Sequence, residues 1–169
     1  MRMEIRVVGR QGITFTRHMA SATKRVLFIC TGNYYRSRFA EAVFNHAASL
    51  AGIPWHAVSR GLAIHLAPDG PISIHALEGL GERGIPARHT GENREQLSES
   101  DLGSADLVIA LKETEHRPAM ENLFPGWAGR IRYWHVSDID SCQPAEALRE
   151  IERLVRALVG ELGTGSGKY

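Results

Sequence analysis

The stretch Cys30-Thr31-Gly32-Asn33-Tyr34-Tyr35-Arg36-Ser37 brings a thiol, a guanidinium and a hydroxyl together in the spacing Cys-x5-Arg-Ser. A cysteine attacks as its thiolate. An arginine fork grips two oxygens of one phosphate. A tight turn between a strand and a helix aims successive backbone N–H groups at one point, and the helix adds the positive end of its dipole. These residue types in this order describe a loop that holds a phosphate above Cys30, with Thr31, Gly32, Asn33, Tyr34, Tyr35, Arg36 and Ser37 around it. Gly32 permits backbone angles that other residues resist. Asn33 tolerates a left-handed backbone, or braces the loop through its side chain. The Ser37 hydroxyl is placed to donate to the Cys30 thiolate. Cys-x5-Arg by itself is a weak pattern, and a lone cysteine ending a buried strand is usually a small core residue. The strand before, the helix after and the Gly-Asn within decide for a phosphate loop.

The elements around the loop read as follows. Residues 25–30 (RVLFIC) are a short apolar run, suited to a strand buried on both faces of a parallel sheet. Residues 37–51 carry Phe39, Ala40, Val43, Phe44 and Ala47 at helical spacing, and Gly52-Ile53-Pro54 stops the helix. A weak strand over 55–59 and a loop over 61–72 come next. Residues 73–83 read as a helix closed by Gly84-Ile85-Pro86. A buried strand is expected at 106–111, a helix at 113–123 and a strand at 131–136. Residues 144–162 form an amphipathic helix opened by Pro144, with Leu148, Ile151, Val155 and Leu158 on its stripe. Strands alternating with helices predict an α/β three-layer sandwich. Its central sheet is mainly four-stranded and parallel, flanked by helices, with the phosphate loop after the first core strand. Ligands of such sheets sit beyond the carboxyl ends of the strands, and Cys30 ends the first convincing one.

Composition excludes several classes. The chain of 169 residues suits one domain, and a net charge of +1 gives no field toward nucleic acid or an anionic membrane. No apolar run approaches a membrane span, so no membrane partner is expected. Two cysteines, Cys30 and Cys142, make no disulfide framework, and a reducing cytoplasm is the expected location. Residues 1–24 read as a peripheral extension: they are a poor secretory signal, 3–8 could add a short strand, and Met19 could serve as the start. Residues 25–162 form the catalytic domain, and 163–169 a flexible Gly-rich tail. A monomer or weak dimer is expected.

The loop CTGNYYRS resembles the phosphate loop of the low-molecular-weight protein-tyrosine phosphatases, whose pattern is roughly Cys-x-Gly-Asn-x-Cys-Arg-Ser. The likeness continues through 39–44 (FAEAVF), Ser59-Arg60-Gly61, Gly84-Ile85, His89, Gln96-Leu97 and 105–116, covering about residues 25–160 in order. The resemblance implies a phosphatase acting on a phosphorylated protein or a small phosphomonoester. Cys30 would attack phosphorus to give a phosphocysteine, and Arg36 and backbone amides would stabilise the transition state. An aspartic acid would protonate the leaving oxygen. No metal or other cofactor is implied, since the loop and Arg36 supply the positive charge. Asn33, Ser37, Ser59 and His89 would brace the loop.

The chain departs from that pattern in places. The family's acid sits in an Asp-Pro pair, which is absent here. Asp138 aligns best by its distance from the preceding strand, and Asp140 competes. Tyr35 stands where the family usually has a second loop cysteine, so its protective intraloop disulfide is expected to be absent. Ile139-Asp140 stands where eukaryotic members have adjacent tyrosines, leaving Tyr34, Tyr35, His65 and Trp134 as candidate walls for a substrate ring. Relatives acting on phosphoarginine have a threonine at the position of Tyr34. Two alternatives follow from the same loop. One is an arsenate reductase, whose thioredoxin-linked members use two more cysteines in a region that contains none here (105–125). The other is a phosphate-binding module without turnover.

Overall fold

The computed structural model describes residues 4–8, 14–18, 22–138 and 140–165. A two-stranded antiparallel hairpin comes first, pairing β1 (Glu4–Val8) with β2 (Thr14–His18). The central sheet follows: β3 (Lys24–Cys30), β4 (Trp55–Gly61), β5 (Leu107–Ala110) and β6 (Arg132–Tyr133), in the order β4-β3-β5-β6 and parallel throughout. The helices are α1 (Arg36–Ala51), α2 (Ile74–Glu82), α3 (Glu99–Ser104), α4 (Glu113–Leu123) and α5 (Pro144–Gly163).

The expected three-layer sandwich is present. Alternation along β3 assigns its faces, which a run of uniformly apolar residues could not do. Val26 and Phe28 face one cluster with α1, α2 and α5, built on Phe39, Phe44, Leu80 and Ile151. Leu27 and Ile29 face the other with α3 and α4, built on Leu102 and Met120. Side chains at successive strand positions leave opposite faces, so both sides of β3 are buried and its carboxyl end is held rigidly. Phe28 meets Phe44 edge-on at 6.0 Å and Trp134 at 5.6 Å. Trp134 is therefore a core residue.

The strand expected at 131–136 is shorter. Only Arg132 and Tyr133 pair with β5, and the chain then leaves the ladder through an isolated bridge between Lys112 and His135. Helix α3 is absent from the sequence reading, because it has six residues and a single buried apolar anchor, Leu102. A capping box between Ser98 and Asp101 holds it. Of the tail expected from 163, Gly163 ends α5 and residues 164–165 form a turn, while 166–169 lie outside the described residues.

β3 lies between β4 and β5, so the chain leaves β3 for one neighbour and later returns to the other side. That reversal opens a crevice beyond the carboxyl end of β3, where Cys30 stands.

Candidate active site

Residues 31–35 make the turn from β3 into α1. Two backbone approaches require glycine. A Cβ on Gly32 would sit 2.8 Å from the Ala67 Cβ, and one on Gly61 would sit 2.9 Å from both the Asn33 nitrogen and the Thr31 carbonyl oxygen. The end of β4 thus presses directly on the loop. No side chain caps α1, and its first turn carries no acidic residue, which leaves the positive helix end facing the loop.

Asn33 is the hinge of the loop. It is the one non-glycine residue of positive φ among those described (49°), and it is fully buried. Its Nδ2 donates to Ser37 Oγ at 3.1 Å and to Ser59 Oγ at 2.9 Å, and its Oδ1 accepts from the Glu95 N–H at 2.8 Å. Ser59 donates in turn to Glu41 Oε2 at 2.6 Å, and Thr90 donates to the same oxygen at 2.7 Å. These partners give the network a direction. Ser59 has one hydrogen and spends it on Glu41, so its oxygen accepts from Asn33. The Asn33 carbonyl is held by Glu95, so both amide hydrogens go to Ser59 and Ser37. Ser37 therefore keeps its own hydrogen for Cys30 Sγ, 2.9 Å away. Burial pushes the Glu41 carboxyl above the ordinary carboxylate range, against the pull of Ser59, Thr90 and two arginines.

This network corrects one expectation. His89 does not brace the loop. Its ring lies edge-on to His46 at 5.4 Å, and its backbone carbonyl accepts from Asn45. The neighbouring Thr90 reaches inward instead, onto Glu41. Glu41 and Arg38 are absent from the sequence reading. Arg38 is 2% exposed, and it donates to the carbonyls of Gly91 and Asn93, holding the segment that presents Glu95 to Asn33.

Arg36 is equally buried. Nη2 donates to Asp138 Oδ2 at 2.9 Å and Nη1 to the Val136 carbonyl at 3.2 Å. Glu115 takes both terminal nitrogens, at 2.9 and 2.8 Å, and also accepts from the Thr31 hydroxyl at 2.6 Å. The sequence carries no signal for Glu115, since a glutamate in the first turn of a helix is explained by the helix dipole alone. Burial works to raise Glu115, but His116, Arg36 and Thr31 outweigh it and hold the carboxyl far below its usual range. His116 Nδ1 accepts from the Lys112 N–H at 3.0 Å, so its proton is on Nε2, 3.4 Å from Glu115 Oε1 but outside hydrogen-bond geometry.

A cleft of about 280 Å³ opens over the loop. Cys30, Arg36, Asp138 and Asp140 all line it, with Tyr34, Leu66, Ala67 and Pro68 as apolar walls. His65, another expected wall, is not among the lining residues. Tyr35 lines the cleft as well, while it also packs in the core cluster and its hydroxyl donates to the Pro144 carbonyl at 3.2 Å. Burial first, then the neighbouring Cys142 and Asp138, push that phenol up to about 12. Cys30 and Cys142 are both unbridged.

A model of the family described as low molecular weight phosphotyrosine protein phosphatase matches residues 25–164. The chain is 32% identical over 149 residues to a protein-arginine-phosphatase of Bacillus subtilis, covering 81% of this chain and 95% of that protein. It is 32% identical over 101 residues to the human low molecular weight phosphotyrosine protein phosphatase, covering 57% and 60%. Among solved structures, the low molecular weight protein tyrosine phosphatase from T. tengcongensis superposes with a TM-score of 0.65 at 31% identity, covering 83% of this chain and 97% of the other. The order of elements, the loop and the matched residues agree, and this chain belongs to the low molecular weight phosphotyrosine protein phosphatase family.

Proposed function

We propose that this phosphatase hydrolyses phosphotyrosine on proteins through a phosphocysteine intermediate. One observation carries the reading: the Cys30 sulfur, the Arg36 guanidinium and the Asp138 carboxyl group line one cleft over a loop braced beneath. The Cys30 thiolate attacks phosphorus in line, forming the S–P bond as the bond to the tyrosine oxygen breaks. Asp138 gives its proton to that leaving oxygen. Water then attacks phosphorus, its proton passes to Asp138, and the S–P bond breaks to release inorganic phosphate and the thiolate. Backbone amides of residues 31–37 and the Arg36 fork hold the equatorial oxygens. Tyr34 and the 66–68 segment supply an apolar wall suited to a phenyl ring. The proposed location is the cytoplasm, and the proposed state a monomer or weak dimer; among the described residues no helix is long and apolar enough to cross a membrane.

Action on phosphoarginine is the second reading. Asp138 and Asp140 on the cleft would attract a guanidinium, while the bulk of Tyr34 favours the flat ring of phosphotyrosine. Rates on matched phosphotyrosine and phosphoarginine peptides decide between them, and a preference for the arginine peptide would replace the first reading with the second.

The acid is tested separately. Asp138→Asn is expected to lower kcat on p-nitrophenyl phosphate by about 10²-fold or more and to flatten the pH profile, while Asp140→Asn stays within about threefold of wild type. The reverse pattern would make Asp140 the acid. Peroxide supplies a further check. With Tyr35 in the loop position of the second cysteine, Cys30 is expected to proceed to sulfinic and sulfonic acid. Intact mass should rise by two or three oxygen atoms, without recovery by dithiothreitol. A Cys30–Cys142 disulfide in the peptide map would contradict this.

A further inference from the structure

We propose that Glu115 is the positioning residue for the phosphate grip of Arg36, and that it assigns the phosphate to a single edge of the guanidinium. The inference rests on the phosphatase reading of the cleft. A guanidinium offers five N–H donors in a fixed plane. Glu115 closes the terminal edge with two parallel bonds, Oε2 to Nη1 at 2.9 Å and Oε1 to Nη2 at 2.8 Å. The second Nη1 hydrogen goes to the Val136 carbonyl at 3.2 Å. The second Nη2 hydrogen goes to Asp138 Oδ2 at 2.9 Å. Both terminal nitrogens are therefore fully engaged before substrate arrives.

The edge left for a phosphate joins the Nε hydrogen to the Nη2 hydrogen that Asp138 holds. A phosphate gripped there takes that hydrogen from Asp138. Glu115 cannot be displaced so easily, because it is held on more than one side. The Thr31 hydroxyl donates to its Oε1 at 2.6 Å, and α4 carries its backbone. Thr31 opens the loop and Arg36 closes it, so one carboxylate ties both ends of the phosphate cradle to a helix outside it. Bidentate carboxylate–guanidinium pairing is directional as well as strong. Its removal would let the Arg36 fork turn by rotation about its side-chain bonds.

The test uses wild type, Glu115→Gln, Thr31→Val, Arg36→Lys and the Glu115→Gln/Arg36→Lys double variant. p-Nitrophenyl phosphate kinetics and calorimetric binding of inorganic phosphate are both measured well below the unfolding temperature. Glutamine keeps the size but presents an N–H to one Arg36 nitrogen, so it breaks the fork. Glu115→Gln is expected to lower kcat by about 10²-fold with KM within about threefold, and to weaken inorganic phosphate by about tenfold. Thr31→Val, which leaves the fork in place, is expected to lower kcat by about fivefold. In the Arg36→Lys background, where no edge remains to assign, Glu115→Gln should cost less than about threefold more. Glu115→Asp, one methylene shorter, should recover part of the loss. The proposal is overturned if Glu115→Gln keeps kcat and phosphate affinity within about threefold of wild type, or if its effect multiplies in full with Arg36→Lys. If Glu115→Gln fails to fold, Thr31→Val decides: no loss of kcat or phosphate affinity there overturns the proposal. If wild type binds phosphate without turnover and Glu115→Gln weakens that binding, the positioning role stands and the phosphatase mechanism falls.

Discussion

Cys30→Ser is expected to eliminate hydrolysis of p-nitrophenyl phosphate, lowering kcat by about four orders of magnitude or more. The site offers a serine no help. A hydroxyl is far less acidic than a thiol, and Ser37, the side chain against Cys30, is committed as a donor to the sulfur position. The direction of the bonds from Glu41 through Ser59, Asn33 and Ser37 leaves no acceptor to draw a proton off a serine at 30. The cradle itself is untouched, so the variant should still bind inorganic phosphate with an affinity within about tenfold of wild type. Kinetics on scrupulously metal-free protein and calorimetry on the same sample make the check. Residual turnover above about one part in a hundred would place the nucleophile elsewhere. Loss of both turnover and binding would mean that the sulfur also supports the loop.

Asn33→Ala is expected to be the most damaging substitution outside the reacting groups. Asn33 donates two buried hydrogen bonds and accepts a partly buried one, and it holds a left-handed backbone at φ 49°. Alanine loses every bond, leaves the Glu95 N–H without its partner, and meets a steric penalty of about 1 kcal/mol or more in that conformation. A loss of about 3–5 kcal/mol follows, measured by urea unfolding, with activity falling by about 10²-fold even where the variant is folded. Asn33→Asp separates the two effects. Aspartate tolerates the backbone and still accepts from Glu95, but it cannot donate to Ser59 or Ser37, and it sets a carboxylate near Cys30. It should therefore retain more stability than alanine yet lose at least as much activity. Equal activity for Asn33→Asp and wild type would show that the direction of the network is irrelevant to the thiol.

Much of the fold was legible in the chain because its signals are local. The apolar run ending at Cys30, the periodicity of α1 and α5 and the stops at Gly52-Ile53-Pro54 and Gly84-Ile85-Pro86 are each written in neighbouring residues. The phosphate loop was legible for the same reason: its thiol, turn residues, arginine and hydroxyl are contiguous, and backbone geometry over eight residues needs no distant partner. Asp138 was reachable only by counting from a strand, and the structure sets its carboxylate on Arg36.

The supporting groups were not legible. Glu41, Arg38 and Glu115 are charged residues on helices, and most such residues face water. Which face of a helix is buried near a loop depends on where another strand ends and which crossover returns beside it. His89 and Thr90 make the point most sharply. They are adjacent, and a change of one position along the chain decided which side chain reached Glu41. The sequence by itself determined the α/β class and the place of the loop between strand and helix, since strand, turn and helix propensities are all local. Only the tertiary structure decided what braces the loop and what holds Arg36, because those partners lie 26, 62 and 79 residues away along the chain and meet only when the sheet closes.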